Sequence, residues 1–339
     1  MHITQVDPAD NAEDLAAILP VIQAAHVDFV PGEPVPCGQR VRQWTGEQYQ
    51  RTSVSFAAFA DLADAAAVGV TMGGHSAHDP DLYGGWTFIT PEAAGPEIAT
   101  ALMDRVSAYC RDHGINRLMI NTAANADAER YAPQRGYTPS FVGIRMGLDL
   151  AGVDRAAFAA FAEPSAANGR YRVTHWIDTC PDDLAGAYCV ARAAMNDAPP
   201  TAENLIDPVH DLERLRAEEA AWMRQGVRML VAAAIAPDGA VGGFSMTALY
   251  PEQPEFAEIQ DTGVARDHRG RGLGVRLKAT ATLRLLREYP AAQHVYTFIA
   301  ENNVHMASVN RRLGYRDAAT WEMYVHDHAE GSPSTIAFR

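Results

Sequence analysis

The stretch DTGVARDHRGRGLGVRLK, residues 261–278, decides how the rest of the chain reads. A strand is expected to end near Val264 and a helix to begin near Leu273, and between them lie Arg269, Gly270, Arg271 and Gly272, with Gly274 just beyond. Glycines at these positions let the backbone approach a ligand closely, because no Cβ stands in the way. A helix that starts directly after such a loop leaves its first amides unpaired, and its dipole favours an anion there. The two arginines add positive charge. The loop lacks the Gly-Lys-Ser/Thr ending of a P-loop, and its glycine spacing fails the GxGxxG dinucleotide fingerprint. It therefore reads as a phosphate-binding loop of another kind.

Working outward, the chain contains two copies of one unit. The segments NADAERYAPQRGY (125–137) and NVHMASVNRRLGY (303–315) agree in type, and both their asparagines and their glycines lie 178 residues apart. Each reads as a short helix closed by glycine and followed by a strand. AVGVTM (67–72) and AVGGFSM (240–246) recur in the same order, each before a second strand and a long helix, spanning 96–112 in the first half and 273–288 in the second. In the second half the turn triplet at 237–239 joins strands at 228–236 and 240–250, and further strands are expected at 255–264 and 293–300. The coarse order in each half is two helices, three strands, helix, strand, helix, strand. A connection is expected at 151–171, with a boundary near residue 160.

Composition excludes several classes. The chain has 339 residues, enough for about two domains. Its 42 acidic and 28 basic residues leave a charge of −14, which disfavours sequence-independent nucleic-acid binding. No apolar run is long enough for a membrane span, and the mean hydropathy is −0.17. The first residues carry no basic stretch followed by an apolar one, so a cytoplasmic protein is expected. Cys37, Cys110, Cys180 and Cys189 lack CxxC spacing and read as reduced thiols. His75, His78 and Asp79 read as a loop rather than a metal site, and no metal is expected. Lys278 is the only lysine.

The loop resembles the acyl-CoA pyrophosphate loop of the GNAT superfamily of N-acetyltransferases, whose pattern Gln/Arg-x-x-Gly-x-Gly/Ala appears here as Arg269-x-x-Gly272-x-Gly274. Downstream, Asn303 and Leu313-Gly314-Tyr315 match the Asn that contacts the pantetheine arm and the Leu-Gly-Phe/Tyr ending of the helix it opens. The resemblance is close over 170–327 and weak over 1–150. It is to two-domain members such as mycothiol synthases and to antibiotic N-acetyltransferases. It implies an α/β fold of two tandem GNAT-like domains, each a mixed central sheet flanked by helices. Residues 1–155 would form a degenerate copy and 165–330 the catalytic one. In the degenerate copy PEAAGP (91–96) stands opposite Arg269–Gly274, with one glycine, no arginine and an added Glu92. A carboxylate beside a pyrophosphate costs about 1–4 kcal/mol at a few Å.

The resemblance further implies acetyl-CoA as acyl donor and direct attack by an amine in a ternary complex. Arg269, Gly270, Arg271, Gly272, Leu273, Gly274 and Asn303 would hold the donor, and the Val264 amide would meet the oxyanion. Glu258, eleven residues before Arg269, would be the general base, with Asp261 as second candidate. On a regular strand the two face opposite sides unless a bulge intervenes. Many members carry a Tyr where this chain has Asn310, which can hydrogen-bond the sulfur but cannot donate a proton as a phenol does. Water, His305 or Tyr324 would then supply it, or the thiolate leaves unassisted. The segment from Ala194 to Glu213 would line the acceptor side, and its Asp197, Glu203 and Asp207 suit a cationic small-molecule amine, first of aminoglycoside type. A neutral amino-sugar thiol precursor and a non-catalytic acyl-CoA sensor are the alternatives. The chain would act as a monomer or homodimer.

Overall fold

A computed structural model describes residues 1–61, 64–93, 95–123, 132–197 and 209–327. In chain order the first half contains β1 (His2–Val6), α1 (Ala12–Phe29), α2 (Gly38–Thr45), β2 (Arg51–Phe59), β3 (Gly69–Ser76), β4 (Leu82–Ile89), α3 (Pro96–Asp112), β5 (Arg117–Ala123) and β6 (Thr138–Asp149). After α4 (Arg155–Ala162) come β7 (Arg172–Ile177), α5 (Asp182–Arg192), α6 (Leu212–Arg224), β8 (Arg228–Ile235), β9 (Val241–Leu249), β10 (Phe256–Val264), α7 (Leu273–Glu288), β11 (His294–Ala300), α8 (Val304–Arg312) and β12 (Arg316–Asp327). A strand thus precedes the two opening helices of each half, an element missing from the coarse sequence pattern. The two long helices stand where the sequence placed them.

The repeat is visible in backbone conformation. Gly136 and Gly314, 178 residues apart, have φ of +77° and +86°, the left-handed conformation that ends a helix. Asn125 lies outside the described residues. The chain forms two compact units, but they do not divide near residue 160: the second takes over at Ile144, inside β6, and the first regains the chain at Ala319, inside β12. Half of β6 and most of β12, the last strand of each sequence copy, therefore fall in the other unit. A linear reading at 1–155 and 165–330 has no means of finding such an exchange.

The first unit orders its strands β1-β2-β3-β4-β5-β12, and the second β6-β11-β10-β9-β8-β7. In the second unit β8 is buried on both faces and shows the two-residue alternation of a strand. Met229, Val231 and Ala233 face the core shared with Tyr188 and Leu215 of α5 and α6. Leu230, Ala232 and Ala234 face the opposite side, where α7 packs. The step from β10 through α7 to β11 makes a parallel pair. No described helix is long and apolar enough to cross a membrane.

Phe244 on β9 is fully buried and meets the Tyr188 ring edge-on at 5.3 Å. Phe244→Ala is expected to destabilise the protein by about 3–5 kcal/mol, read as a lower urea midpoint.

Candidate active site

The glycine-rich loop has the conformation its sequence suggests. Gly270 and Gly272 have φ of +74° and +73°, and Gly272 immediately precedes α7. A Cβ on Gly270 would meet nothing within 4 Å, so that side of the loop is open. Among the described residues, no acceptor receives the amide N–H groups from Gly270 to Val275; pairing resumes where Arg276 donates to the Gly272 carbonyl at 3.2 Å. Leu273 is buried and ties the helix start to the core, while Gly274 faces Val309 of α8. Six successive free amides at a helix N-terminus form an anion cradle.

Residues outside the motif hold this shape. Asn168 donates through Nδ2 to the Arg271 carbonyl at 3.0 Å. Arg276 spans the connection before β7, donating to the carbonyls of Ala162, Asn168 and Tyr171 at 3.0–3.1 Å. Tyr171 Oη accepts from Arg271 Nη1 at 2.9 Å and pairs with His268 Nδ1 at 2.8 Å. Sequence reasoning missed Asn168 and Tyr171, because they lie in what reads as a linker, and Arg276, because its partners are there. Arg269 donates to the Val264 carbonyl at 3.0 Å and pairs with Asp197 at 2.7 Å, and Arg266 pairs with the other Asp197 oxygen at 2.9 Å. Hydrogen bonding from Arg266, then the charge of both arginines, holds the Asp197 carboxyl below its ordinary pKa. Asp197, expected on the acceptor side, thus braces the loop, while Glu203 and Asp207 lie outside the described residues. Arg271 has no carboxylate partner among the described residues.

Beside the loop, two strands part. β10 pairs with β11 from Phe256–His294 to Ile259–Thr297, and among the described residues that pairing stops there, although β10 runs on to Val264 and β11 to Ala300. On its other side β10 stays paired with β9 to the end. Ala265 donates to Gly242 across that ladder at 3.1 Å. Antiparallel pairs alternate, so the Val264 N–H points away from β9, into the opening.

A β-bulge lies at the same place. Ile259 opposes Thr247 but Asp261 opposes Met246, so Gln260 is the extra residue. Glu258 opposes Ala248, and Ala248 and Met246 share a face of β9. The bulge therefore turns Glu258 and Asp261 to the same face, the one covered by α5 and α6. The regular alternation assumed for the sequence would have separated them.

The two carboxylates differ in environment. Glu258 is ion-paired with Arg145 of β6 and accepts hydrogen bonds from Tyr250 Oη at 3.3 Å and Gln260 Nε2 at 3.1 Å. Arg145 is itself buried, its guanidinium 5.3 Å from the Tyr296 ring centroid. The one visible sign of Arg145 was a cation inside the apolar run FVGIRMGLDL. Asp261 has no ion pair or hydrogen bond with a described residue. Burial raises its pKa above the ordinary Asp value, against the opposing pull of the Arg192 guanidinium. Arg192 pairs with Glu218 at 2.5 Å, which also holds Arg214 at 2.7 Å. Nearby His210 is pushed down to about 4, by burial and then by Arg192 and Arg214, and so is neutral at physiological pH.

Asn303 caps α8, its Oδ1 accepting from the Met306 amide at 3.1 Å. Asn310 is fully buried, accepting from Lys278 Nζ at 2.5 Å and donating to Met146 Sδ at 3.4 Å. His305 is exposed, and Tyr324 belongs to the first unit, where it donates to Glu322 at 2.6 Å. Among the described residues no group of three or more His, Cys, Asp or Glu side chains could hold a metal ion. In the first half the loop opposite the cradle has a single 3₁₀ turn at Pro91–Ala93, an extended Gly95 with φ of 179°, and Pro96 opening α3 without an N–H.

The model of the acetyltransferase (GNAT) family matches residues 20–137 and 194–315. No curated protein matches the chain. A tandem GNAT protein from the clavulanic acid biosynthesis pathway, solved without AcCoA, is 19% identical and superposes with a TM-score of 0.78 over 98% of this chain and 99% of that one. A GCN5-related N-acetyltransferase from Sphaerobacter thermophilus is 18% identical, with a TM-score of 0.63 over 98% of each chain. An acetyltransferase from the GNAT family from Colwellia psychrerythraea is 12% identical, with a TM-score of 0.56 over 96% of this chain and 100% of that one. The chain belongs to the GNAT acetyltransferase family and carries the fold in tandem. Members of that family use acetyl-CoA as donor.

Gly272→Glu would force a side chain into the left-handed region and set a carboxylate at the cradle. Acetyl-CoA affinity, measured by calorimetry, is expected to fall about fivefold or more, because like charges a few Å apart cost about 1–4 kcal/mol. Unchanged affinity would refute the phosphate-loop assignment.

Proposed function

We propose that the chain is an acetyl-CoA-dependent N-acetyltransferase acting on a primary amine of a small molecule, with chemistry confined to the second unit. The observation that carries this reading is the run of unpaired amides from Gly270 to Val275, next to a strand opening into which the Val264 N–H points. The cradle takes the donor's pyrophosphate, and the acyl arm follows the opening between β10 and β11. The carbonyl oxygen then lies at the Val264 amide, which stabilises the charge developing on it. Holding both reactants in line supplies much of the rate.

The base in this reading is Asp261 rather than Glu258. The negative charge of Glu258 is matched by Arg145, whereas Asp261 is half-buried and unpaired among the described residues, with a raised affinity for protons. That combination suits removal of a proton from an ammonium. Glu258, held by Arg145, Tyr250 and Gln260, would orient the acceptor. An aminoglycoside-type cation is the first acceptor to try, on the strength of the −14 charge and the two carboxylates on one face. An amino-sugar thiol precursor is the second. The role follows: modification of an amine-bearing antibiotic for resistance or self-protection.

An amine panel with thiol detection tests the reading: CoA should be released from acetyl-CoA only with the right amine. Saturable acetyl-CoA binding with no turnover against any amine would instead mark a sensor. One acetyl-CoA is expected per chain by calorimetry, since the first half lacks the cradle; two would show that it binds as well.

Asp261→Asn should lower kcat/KM by about 10²–10⁴. Wild-type activity should rise as pH climbs through the Asp261 value, above the usual carboxylate range. The same shift has a stability consequence. A raised carboxyl pKa stabilises the fold below the unfolded value, and that contribution is lost as pH rises through the folded value. Asp261→Asn should therefore raise Tm at pH 8 and leave it nearly unchanged at pH 4. A Tm unaltered at both would mean that Asp261 is well solvated.

A further inference from the structure

The chain's single lysine is buried where a proton donor is missing. Lys278 is 1% exposed. Its Nζ donates to Asn310 Oδ1 at 2.5 Å and lies 5.0 Å from the Tyr315 ring centroid. Asn310 in turn reaches Met146 of β6. Tyr315 is the only titratable side chain in contact with the ammonium among the described residues, and burial keeps that phenol protonated. Among the described residues no carboxylate balances the charge. A buried ammonium without a counter-ion is costly.

Its position relative to the strand opening follows from its neighbours. Leu277, one residue earlier, packs over the β9–β10 side: a Cβ on Gly243 would stand 3.4 Å from Leu277 Cδ1 and 3.3 Å from Val264 Cγ2. Lys278, about 100° further round the helix, turns toward α8 and its Asn310. Gly274, one turn back, faces Val309 of the same helix. Ile259, the last paired residue of β10, shares a core with Val275, Ala279 and Ala307 of those helices. At Leu277 and Lys278, α7 therefore straddles the gap between β10 and β11, with the ammonium on the far side from the Val264 amide.

Resting on the acyl-CoA reading above, we propose that Lys278, held by Asn310, is the proton donor to the departing CoA thiolate. Asp261 takes one proton from the bound ammonium and releases it to water; the neutral amine then bonds to the carbonyl carbon and yields its second proton to Asp261. The C–S bond breaks with its electron pair on sulfur, and one Nζ proton moves to that sulfur. After CoA leaves, Asp261 gives up its proton and the neutral Lys278 amine regains one, which restores both groups. Burial lowers the Lys278 pKa to about 7, which places the ammonium near the operating pH of a general acid.

Because there is one lysine, ¹³Cε-lysine labelling of the full chain gives a single side-chain signal. CoA should shift that signal and its titration midpoint. Desulfo-CoA, which makes the same phosphate contacts, should bind and leave both unmoved. Equal shifts from both ligands, or none from bound CoA, would overturn the proposal. Failure of either ligand to bind would overturn the acyl-CoA reading and this one with it. Lys278→Met should lower kcat about 10²-fold or more with little change in the KM for acetyl-CoA. The fall in activity above about pH 7 should disappear in that variant. A folded variant with wild-type kcat would dismiss the assignment, and the labelled wild-type protein decides the matter if the variant does not fold.

Discussion

A backbone amide that leaves a ladder must find another acceptor or face an opening, and the second unit is organised around one place where this happens. Beyond Ile259 and Thr297 the parallel pair of β10 and β11 ceases, while β10 keeps its antiparallel partner to Val264. The divergence needs support on one side only, because β9 continues to hold β10. The result is a wedge into which the Val264 amide points, followed after the paired amides of Ala265, His268 and Arg269 by the free amides of the loop. The β10–β11 pairing ends one residue before the bulged Gln260, and the Val264 amide beyond it is left facing the opening.

The bulge sets the electrostatics as well. By inserting one residue it places two carboxylates on one face, where the sheet meets α5 and α6. Two such anions in a partly dry space repel unless one is neutralised. Arg145 neutralises Glu258, while burial makes Asp261, which has no ion pair among the described residues, hold its proton more tightly. The difference between the two groups thus arises from a counter-ion carried by β6, two strands away, at Glu258 and from burial at Asp261.

Much of this was legible in the sequence where the cause is local. The glycine loop, the helix starting at Leu273 and the repeat at an offset of 178 depend on residues adjacent in the chain, and φ at Gly270, Gly272, Gly136 and Gly314 agrees with each. What could not be read depends on contacts distant in sequence. Arg145 meets Glu258 across 113 positions, and Asn168 meets the loop across 103. The bulge leaves no mark in composition, so the faces of Glu258 and Asp261 could not be fixed. The acidic run after Ala194 read as a lining for the acceptor, yet the side chain of Asp197 closes on Arg266 and Arg269, because an exposed carboxylate pairs with whichever guanidinium folding brings near.

The two halves show why only one keeps the open loop although both keep the fold. A helix that follows a strand needs its apolar stripe and an end to the preceding ladder; it does not need an open N-terminus. In the first half Pro96 starts α3 with its own nitrogen blocked and Gly95 extended, an arrangement that forms a stable helix and removes a donor from the position a phosphate would occupy. In the second half Gly272 takes the left-handed conformation, and Arg276 and Asn168 are committed to holding the turn. Left-handed backbone costs little at glycine and more at any other residue. The cradle is therefore a feature that the fold permits and does not enforce, so substitutions such as those at residues 91–96 can remove it while the core of the unit stays intact.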